Sequence, residues 1–139
     1  ISYDEGLHML RECYRVLKKG GIIRISTPDL AHIAALTREG LTELESRYVE
    51  WSIGQFLPKA SGNDPAFVVN NFFRDWGHQF IYTYRTLAAS LEQCSFTDIE
   101  PCQLNESRAQ KLKGLENESR MPEGFLVFET LTVEATKPG

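Results

Sequence analysis

The fold is indicated by one stretch, Leu10–Leu30, which reads LRECYRVLKKGGIIRISTPDL. Its first part continues an apolar pattern that starts at Leu7 and recurs at helical spacing. Gly20 and Gly21 then supply the left-handed stop of a helix. The apolar, β-branched run over residues 22–27 predicts a buried strand. Because a helix, a glycine turn and a buried strand follow one another, the sequence predicts an α/β fold.

The rest of the chain adds two strands and several helices to this beginning. Helical spacing and capping residues bring the expected number of helices to about five. Strands are predicted near residues 96–102 and 124–136, and the second is the clearer because its apolar residues alternate, interrupted by Glu129. Residues 103–123 are polar, which predicts a long connection or a partly mobile insertion. Its charged residues, Glu116 among them, are predicted to be a solvated surface.

Composition excludes several classes of protein. The chain has 139 residues, 42% of them hydrophobic and 24% charged, which fits a single domain over residues 1–139. No apolar run approaches the roughly 18 to 20 residues that would cross a membrane. A net charge of −4 argues against nucleic acid as the partner. Three cysteines, an odd count, favour a reduced cytoplasmic protein over a disulfide scaffold.

The richest chemistry lies in residues 70–82, which combine amides, an aspartate, a histidine and five aromatic side chains around a glycine. Such a mixture suits a pocket wall, in which aromatic faces give area and either His78 or Asp75 moves a proton. Aromatic core packing around one hydrogen-bonded histidine explains the same stretch equally well. The histidines show no metal-ligand spacing, so no metal site is predicted.

A second candidate site follows the first predicted strand, because ligands of open α/β sheets bind at the carboxyl ends of strands. The residues there are Thr27, Pro28 and Asp29. Asp29 is somewhat better explained as the N-cap of the next helix. No GxGxxG or GxxxxGK[ST] motif occurs, so the sequence predicts no phosphate or dinucleotide cradle.

The stretch Leu10–Leu30 resembles the L-x-E-x-x-R-V-L-K-P-G-G region of class I S-adenosylmethionine-dependent methyltransferases, in particular the bacterial type 11-like branch. Weaker similarities follow at residues 76–87, at Ser95-Phe96 and at residues 131–135, so the resemblance covers most of the chain. Lys19 stands where the family usually has proline, and Ser95 where glycine commonly precedes phenylalanine. Neither departure removes the two glycines of the turn.

The resemblance implies the C-terminal half of a Rossmann-like methyltransferase fold. Its three strands would be the fifth, sixth and seventh of the family, in a three-stranded mixed sheet with the seventh strand antiparallel between the other two. The family binds its cofactor through a glycine-rich loop and an acidic residue that have no counterpart here. The cofactor-binding half is therefore expected to be missing. The first residue agrees with this expectation, because it is Ile1 and not Met. S-adenosylmethionine is the implied cofactor, but binding by this chain alone is not expected.

The implied function is the substrate side of methyl transfer to an unknown small-molecule acceptor, by a chain that is inactive alone. His78 is the first candidate for a general base and Asp29 the second, while Thr27, Trp76 and Tyr82 would contact the acceptor. The alternative is a non-catalytic interaction domain on a methyltransferase-derived scaffold. A sheet cut beside residues 22–26 would also expose an unpaired edge, which predicts a homodimer through that strand.

Overall fold

Three strands and six α-helices make up the chain, which the computed structural model describes over residues 1–139. The helices are α1 (Tyr3–Val16), α2 (Leu30–Ala35), α3 (Glu43–Phe56), α4 (Pro65–Phe73), α5 (Tyr84–Gln93) and α6 (Phe125–Glu129). The strands are β1 (Ile22–Pro28), β2 (Thr97–Cys102) and β3 (Thr130–Thr136). The predicted α/β class is confirmed, and the helix count is six rather than about five.

The sheet has the strand order β1-β3-β2, and both pairings are antiparallel. The predicted position of the last strand, antiparallel between the other two, is confirmed. The expectation of a mixed sheet is wrong, because β1 and β2 run in the same direction but are separated by β3 and never pair. No helix of the chain has both the length and the apolar character that crossing a membrane requires.

The last predicted strand, 124–136, is wrong over its first six residues, because β3 begins only at Thr130. Gly124 adopts a left-handed conformation with φ of 84°, and α6 occupies the next five residues before β3 begins. Phe125 and Phe128 are buried while Val127 is 53% exposed, which is helical rather than alternating periodicity. Packing of these two rings against Tyr48 outweighs the β propensity of the segment.

Local signals in the sequence mark the start of α1, the start of α5 and the turn before β1. Ser2 and Glu5 form a capping box at the start of α1, and Thr83 caps α5. Gly20 has a φ of 73°, where a side chain would be strained. The turn that it makes is tied to the end of the sheet, because the Gly20 N–H donates to the Lys137 carbonyl at 2.8 Å.

Apolar residues are buried in two clusters. The sheet core lies between one face of the sheet and helices α1 and α5, and consists of Leu7, Leu10, Leu87, Leu91, Cys94, Phe96, Leu131, Val133 and Ala135. The cap core joins helices α2, α3, α4 and α6 beyond the carboxyl end of β1. Its residues are Ile33, Leu36, Tyr48, Val49, Ile53, Val68, Phe72, Ile81, Phe125 and Phe128. The chain therefore folds as a small sheet unit with a helical cap.

The connection 103–123 covers the second face of the sheet. Its ends are held together because Asn105 and Glu116 exchange hydrogen bonds, from the Asn105 N–H at 2.7 Å and from the Glu116 N–H at 3.0 Å. Glu116 is only 10% exposed and lies 2.8 Å from Arg24. The prediction that Glu116 belongs to a solvated surface is therefore wrong, because it faces a buried arginine that the local sequence does not reveal.

Candidate functional site

Three cavities meet at the carboxyl end of β1, the place where ligands of α/β sheets commonly bind. The connection cavity, about 410 Å³, lies beside residues 115–120 and is lined by Ser26, Thr27 and Pro28. The aromatic cavity, about 540 Å³, shares Pro28 and opens toward α3 and α4. The edge cavity, about 610 Å³, follows the free side of β1 and shares Ser26 and Thr27. The end of β1 is thus the common wall of all three.

Two backbone hydrogen bonds bring distant segments to this wall. The Asp29 N–H donates to the Glu129 carbonyl at 2.8 Å, which fixes the end of α6 beside the end of β1. The Leu30 N–H donates to the Tyr82 carbonyl at 2.9 Å, which fixes the segment after α4 in the same place. Both donors belong to the residues that follow β1, so the start of α2 anchors the site.

His78 is held in one orientation by the end of α4. Its Nδ1 lies 2.9 Å from the Phe72 carbonyl oxygen, which also accepts the His78 backbone N–H at 3.1 Å. Because a carbonyl oxygen only accepts, Nδ1 carries the proton, and Nε2 is left as the basic nitrogen of the neutral ring. His78 lines both the aromatic and the edge cavity. The geometry therefore suits a group that takes up a proton.

The other predicted contact residues are distributed over the same cavities. Trp76 stands with His78 in both the aromatic and the edge cavity. Thr27 lines the connection and edge cavities, and Tyr82 lines the edge cavity. Burial raises the pKa of the Tyr82 hydroxyl, with the neighbouring Tyr3 adding to the effect. Four of the five predicted site residues are thus brought to one region.

Asp29 has a structural role at the start of α2. Its Oδ1 accepts a hydrogen bond from the Ala31 N–H at 2.9 Å, so it is the N-cap of that helix, as the alternative interpretation predicted. Asp29 is not among the residues that line the three cavities. Its carboxylate is therefore less suited than His78 to act on a ligand there.

Glu129 is the residue of the site that the sequence did not identify. The Tyr48 hydroxyl donates to its Oε2 at 2.6 Å, and its Oε1 lies 3.9 Å from the Arg120 guanidinium. Burial raises the pKa of the Glu129 carboxyl, while the Tyr48 hydrogen bond and the nearby Arg120 act in the opposite direction. Burial likewise raises the pKa of Tyr48. Glu129 lines the connection and aromatic cavities.

One signal in the sequence pointed to Glu129. It is the single charged residue within the apolar segment from Phe125 to Val133. A carboxylate in such a segment is either solvated or paired with a partner, and only the fold shows that the partner is Tyr48. No group of three or more His, Cys, Asp and Glu residues converges in a way that could hold a metal ion.

Comparisons with known proteins bear on the fold alone. No family model matches the chain. No curated protein matches it either. Among solved structures, the chain is similar to the crystal structure of a possible exported protein from Bordetella parapertussis, with 17% identity and a TM-score of 0.50. The match covers 98% of this chain and 34% of that protein, so the chain spans about a third of its structural neighbour.

Proposed function

We propose that the chain is the substrate-side part of an S-adenosylmethionine-dependent methyltransferase that acts on a small-molecule acceptor. The observation that carries this proposal is the position of β3, antiparallel between β1 and β2. The resemblance over Leu10–Leu30 implies this arrangement for the last three strands of the family. The turn at Gly20-Gly21 and the strand that follows it are consistent with this motif and support the proposal.

By the same resemblance, we do not expect the residues of this chain to form a site for the cofactor by themselves. In the family, a glycine-rich loop follows the first strand, whereas the resemblance makes β1 the fifth strand. Residues 1–139 therefore have no counterpart of that loop. The proposal therefore assigns cofactor binding to a part of the protein other than these residues, and the chain alone is expected to be inactive.

The contribution of this chain is to hold the acceptor and to receive its proton. His78 Nε2 is the proposed general base, since its ring is fixed through Nδ1 and faces two cavities. Trp76 and Tyr82 give apolar walls that orient the acceptor and exclude water, and Thr27 offers a hydroxyl at the end of β1. Asp29 remains the second candidate for a base, although its capping bond occupies one carboxylate oxygen.

The test compares this chain with the full product of its gene. Calorimetric titration with S-adenosylmethionine should show binding by the full product and none by residues 1–139. In the full product, His78→Gln should lower kcat by about 10²- to 10⁴-fold with little change in KM, as removal of a general base does. His8→Gln, on the exposed side of α1, is the matched control. A full product that binds no S-adenosylmethionine would overturn the proposal.

The alternative, a non-catalytic interaction domain, is favoured by one observation. β1 is an edge strand whose second side has no strand partner, and the edge cavity runs along it from Ile23 to Thr27. Unpaired strand edges bind further strands, and a second copy of this chain is the proposed occupant. Sedimentation of residues 1–139 should then show a concentration-dependent dimer, whereas a stable monomer at high concentration contradicts it.

The proposed location of the protein is the cytoplasm, because an odd count of three cysteines favours a reduced protein.

A further inference from the structure

The aromatic cavity has walls made of rings that stand nearly perpendicular to one another. Trp51 and Phe56 are 5.5 Å apart at 87°, Phe56 and Trp76 are 5.3 Å apart at 80°, and Phe72 and Trp76 are 4.6 Å apart at 89°. A continuous series of edge-to-face contacts links the four rings. Perpendicular rings give a cavity several aromatic faces that point in different directions, which is the geometry of an aromatic cage.

These rings are only partly used for packing. Phe72 is fully buried in the cap core, but Phe56 is 46% exposed, and Trp51 and Trp76 are half-buried. The ring surface that the core leaves free lines the aromatic cavity. Exposed aromatic surface gathered in a concave site is typical of ligand binding rather than of core packing.

A carboxylate with a free oxygen lies at one side of the same cavity. Glu129 Oε2 accepts the Tyr48 hydroxyl at 2.6 Å, whereas Oε1 has no hydrogen bond and only Arg120 at 3.9 Å. The Glu129 side chain is 13% exposed, so most of it is shielded, but Oε1 is not sealed in the core and can be reached from the cavity. An acceptor in this situation gains from a ligand that brings an N–H donor or a positive charge.

We infer that the aromatic cavity binds an organic ammonium ion, held by the faces of Trp51, Phe56 and Trp76 and by the Oε1 atom of Glu129. Aromatic faces attract cations through the ring quadrupole, and the carboxylate adds a charge-assisted hydrogen bond. A cavity of about 540 Å³ accommodates a compact amine with one ring. The further step, that this amine is the methyl acceptor, rests on the proposed function. Binding of the amine itself requires neither a cofactor nor enzymatic activity.

Arg120 is the one cation of the chain that lines this cavity, and it competes with the ligand for Glu129. Its side chain is 61% exposed and its guanidinium is 3.9 Å from Oε1, beyond hydrogen-bonding distance. Such an exposed ion pair contributes little, so a ligand ammonium can displace it toward solvent. Removal of the Arg120 charge should therefore strengthen binding of a cation.

Both tryptophans of the protein line the aromatic cavity, and Trp51 lines no other cavity, so tryptophan fluorescence responds to a ligand bound there. The probes are benzylamine and benzyl alcohol, which share shape but differ in charge, titrated into residues 1–139 near pH 8. Benzylamine should bind about tenfold more tightly than benzyl alcohol. Glu129→Gln keeps an acceptor for the Tyr48 hydroxyl and should remove this preference. Glu92→Gln, an exposed residue on α5, makes the same charge change away from the site and should keep it.

Two further variants separate recognition from a loss of folding. Arg120→Ala should tighten benzylamine about threefold and leave benzyl alcohol unchanged, an effect that a damaged fold does not produce. Phe56→Leu should weaken benzylamine binding about fivefold, because the cage loses an exposed ring. Equal affinity for the two probes, no fluorescence response to either, or a preference that survives in Glu129→Gln would each overturn the inference. Since no assay uses S-adenosylmethionine, these outcomes are independent of the proposed methyl transfer.

Discussion

The two faces of the sheet are buried by opposite means. On one face, Ile23, Ile25, Leu131, Val133 and Ala135 pack against helices α1 and α5. On the other face the alternate residues are polar, and an irregular connection covers them. There Arg24 of β1 stands opposite Glu134 of β3, with both side chains 4% exposed or less.

Arg24 uses all five of its N–H groups on this polar face. Its guanidinium donates to the Glu116 carboxylate at 2.8 and 3.0 Å, to Glu134 at 2.7 Å, and to the carbonyls of Glu106 at 2.7 Å and Gln103 at 3.2 Å. The hydrogen bonds to residues 103–116 fasten the connection to the sheet. Apolar burial tolerates inexact neighbours, whereas a buried ion needs every partner in place.

The largest effect is expected when the charge at the centre of the polar face is removed. Arg24→Met leaves Glu134 and Glu116 without their counter-ion and should lower the free energy of unfolding by about 3 to 5 kcal/mol. Urea unfolding followed by circular dichroism measures the change. Arg85→Met, on the exposed side of α5, should change it by less than about 0.5 kcal/mol. Equal stability of the two variants would mean that the ion cluster contributes nothing.

A cavity created in the apolar face is expected to lower the free energy of unfolding somewhat less than Arg24→Met does. Leu91 is fully buried in the sheet core, and Leu91→Ala should lower the free energy of unfolding by about 3 kcal/mol through lost transfer energy and an unfilled cavity. Leu115→Ala, at a side chain that is 60% exposed, is the matched control and should have almost no effect. The Leu91 loss should be the same at acidic and neutral pH, unlike any loss on the polar face.

Acid should weaken the polar face more than the apolar face of the sheet. Arg24 and the hydrogen bonds from Asn105 and Ser26 hold the pKa of Glu116 at about 2, below its ordinary value of 4.5. As pH falls, the Glu116 carboxylate therefore takes up a proton more readily in the unfolded chain than in the folded chain. The stabilisation from Glu116 is present above pH 4.5 and is lost as pH falls toward 2.

Urea midpoints measured across this range test the linkage. Glu116→Gln should lower stability at neutral pH by about 2 kcal/mol and should flatten the acid dependence. Glu106→Gln, whose side chain makes no hydrogen bond, should retain the slope of the parent protein. An unchanged slope in Glu116→Gln would show that another group is responsible.

The smallest effect is expected at the rim of the polar face. Arg108 is 34% exposed, contacts Glu100 at 3.2 Å and donates to Thr136 Oγ1 at 2.8 Å. Arg108→Ala should lower the free energy of unfolding by about 1 kcal/mol. This decrease should be smaller in about 1 M salt, because salt screens exposed charges. The Arg24→Met loss should be nearly insensitive to salt. If the loss of stability depended strongly on salt at both positions, the polar face would have to be accessible to water.

The apolar half of the fold could be predicted from the sequence because its signals are local. Helical spacing in α1, the capping residues and the glycine turn indicated the first helix and β1, and alternation indicated β3. The segment 125–129 could not be assigned, because Phe125 and Phe128 become helical through contact with Tyr48, about eighty positions earlier in the chain. The burial of Glu116 depends in the same way on Arg24, a distant residue.

The residues of the candidate site likewise fall into those that could be predicted from the sequence and those that could not. His78, Trp76, Tyr82 and Thr27 were named from residue type, and the fold brings them to the end of β1. Glu129 was not named, because a carboxylate next to β3 has no local mark that distinguishes a solvated side chain from one bonded to a buried tyrosine. The amine site inferred above depends on this residue, on two rings of α3 and on Trp76, which follows α4.

The sequence by itself determined the α/β class, the helix boundaries marked by caps and glycines, and the apolar face of the sheet, since each depends on residues within a few positions of one another. Only the tertiary structure decided how the polar face is buried and where the cavities lie. Buried charges and concave sites require groups from distant segments to meet within about 3 Å, and no local pattern encodes such a meeting.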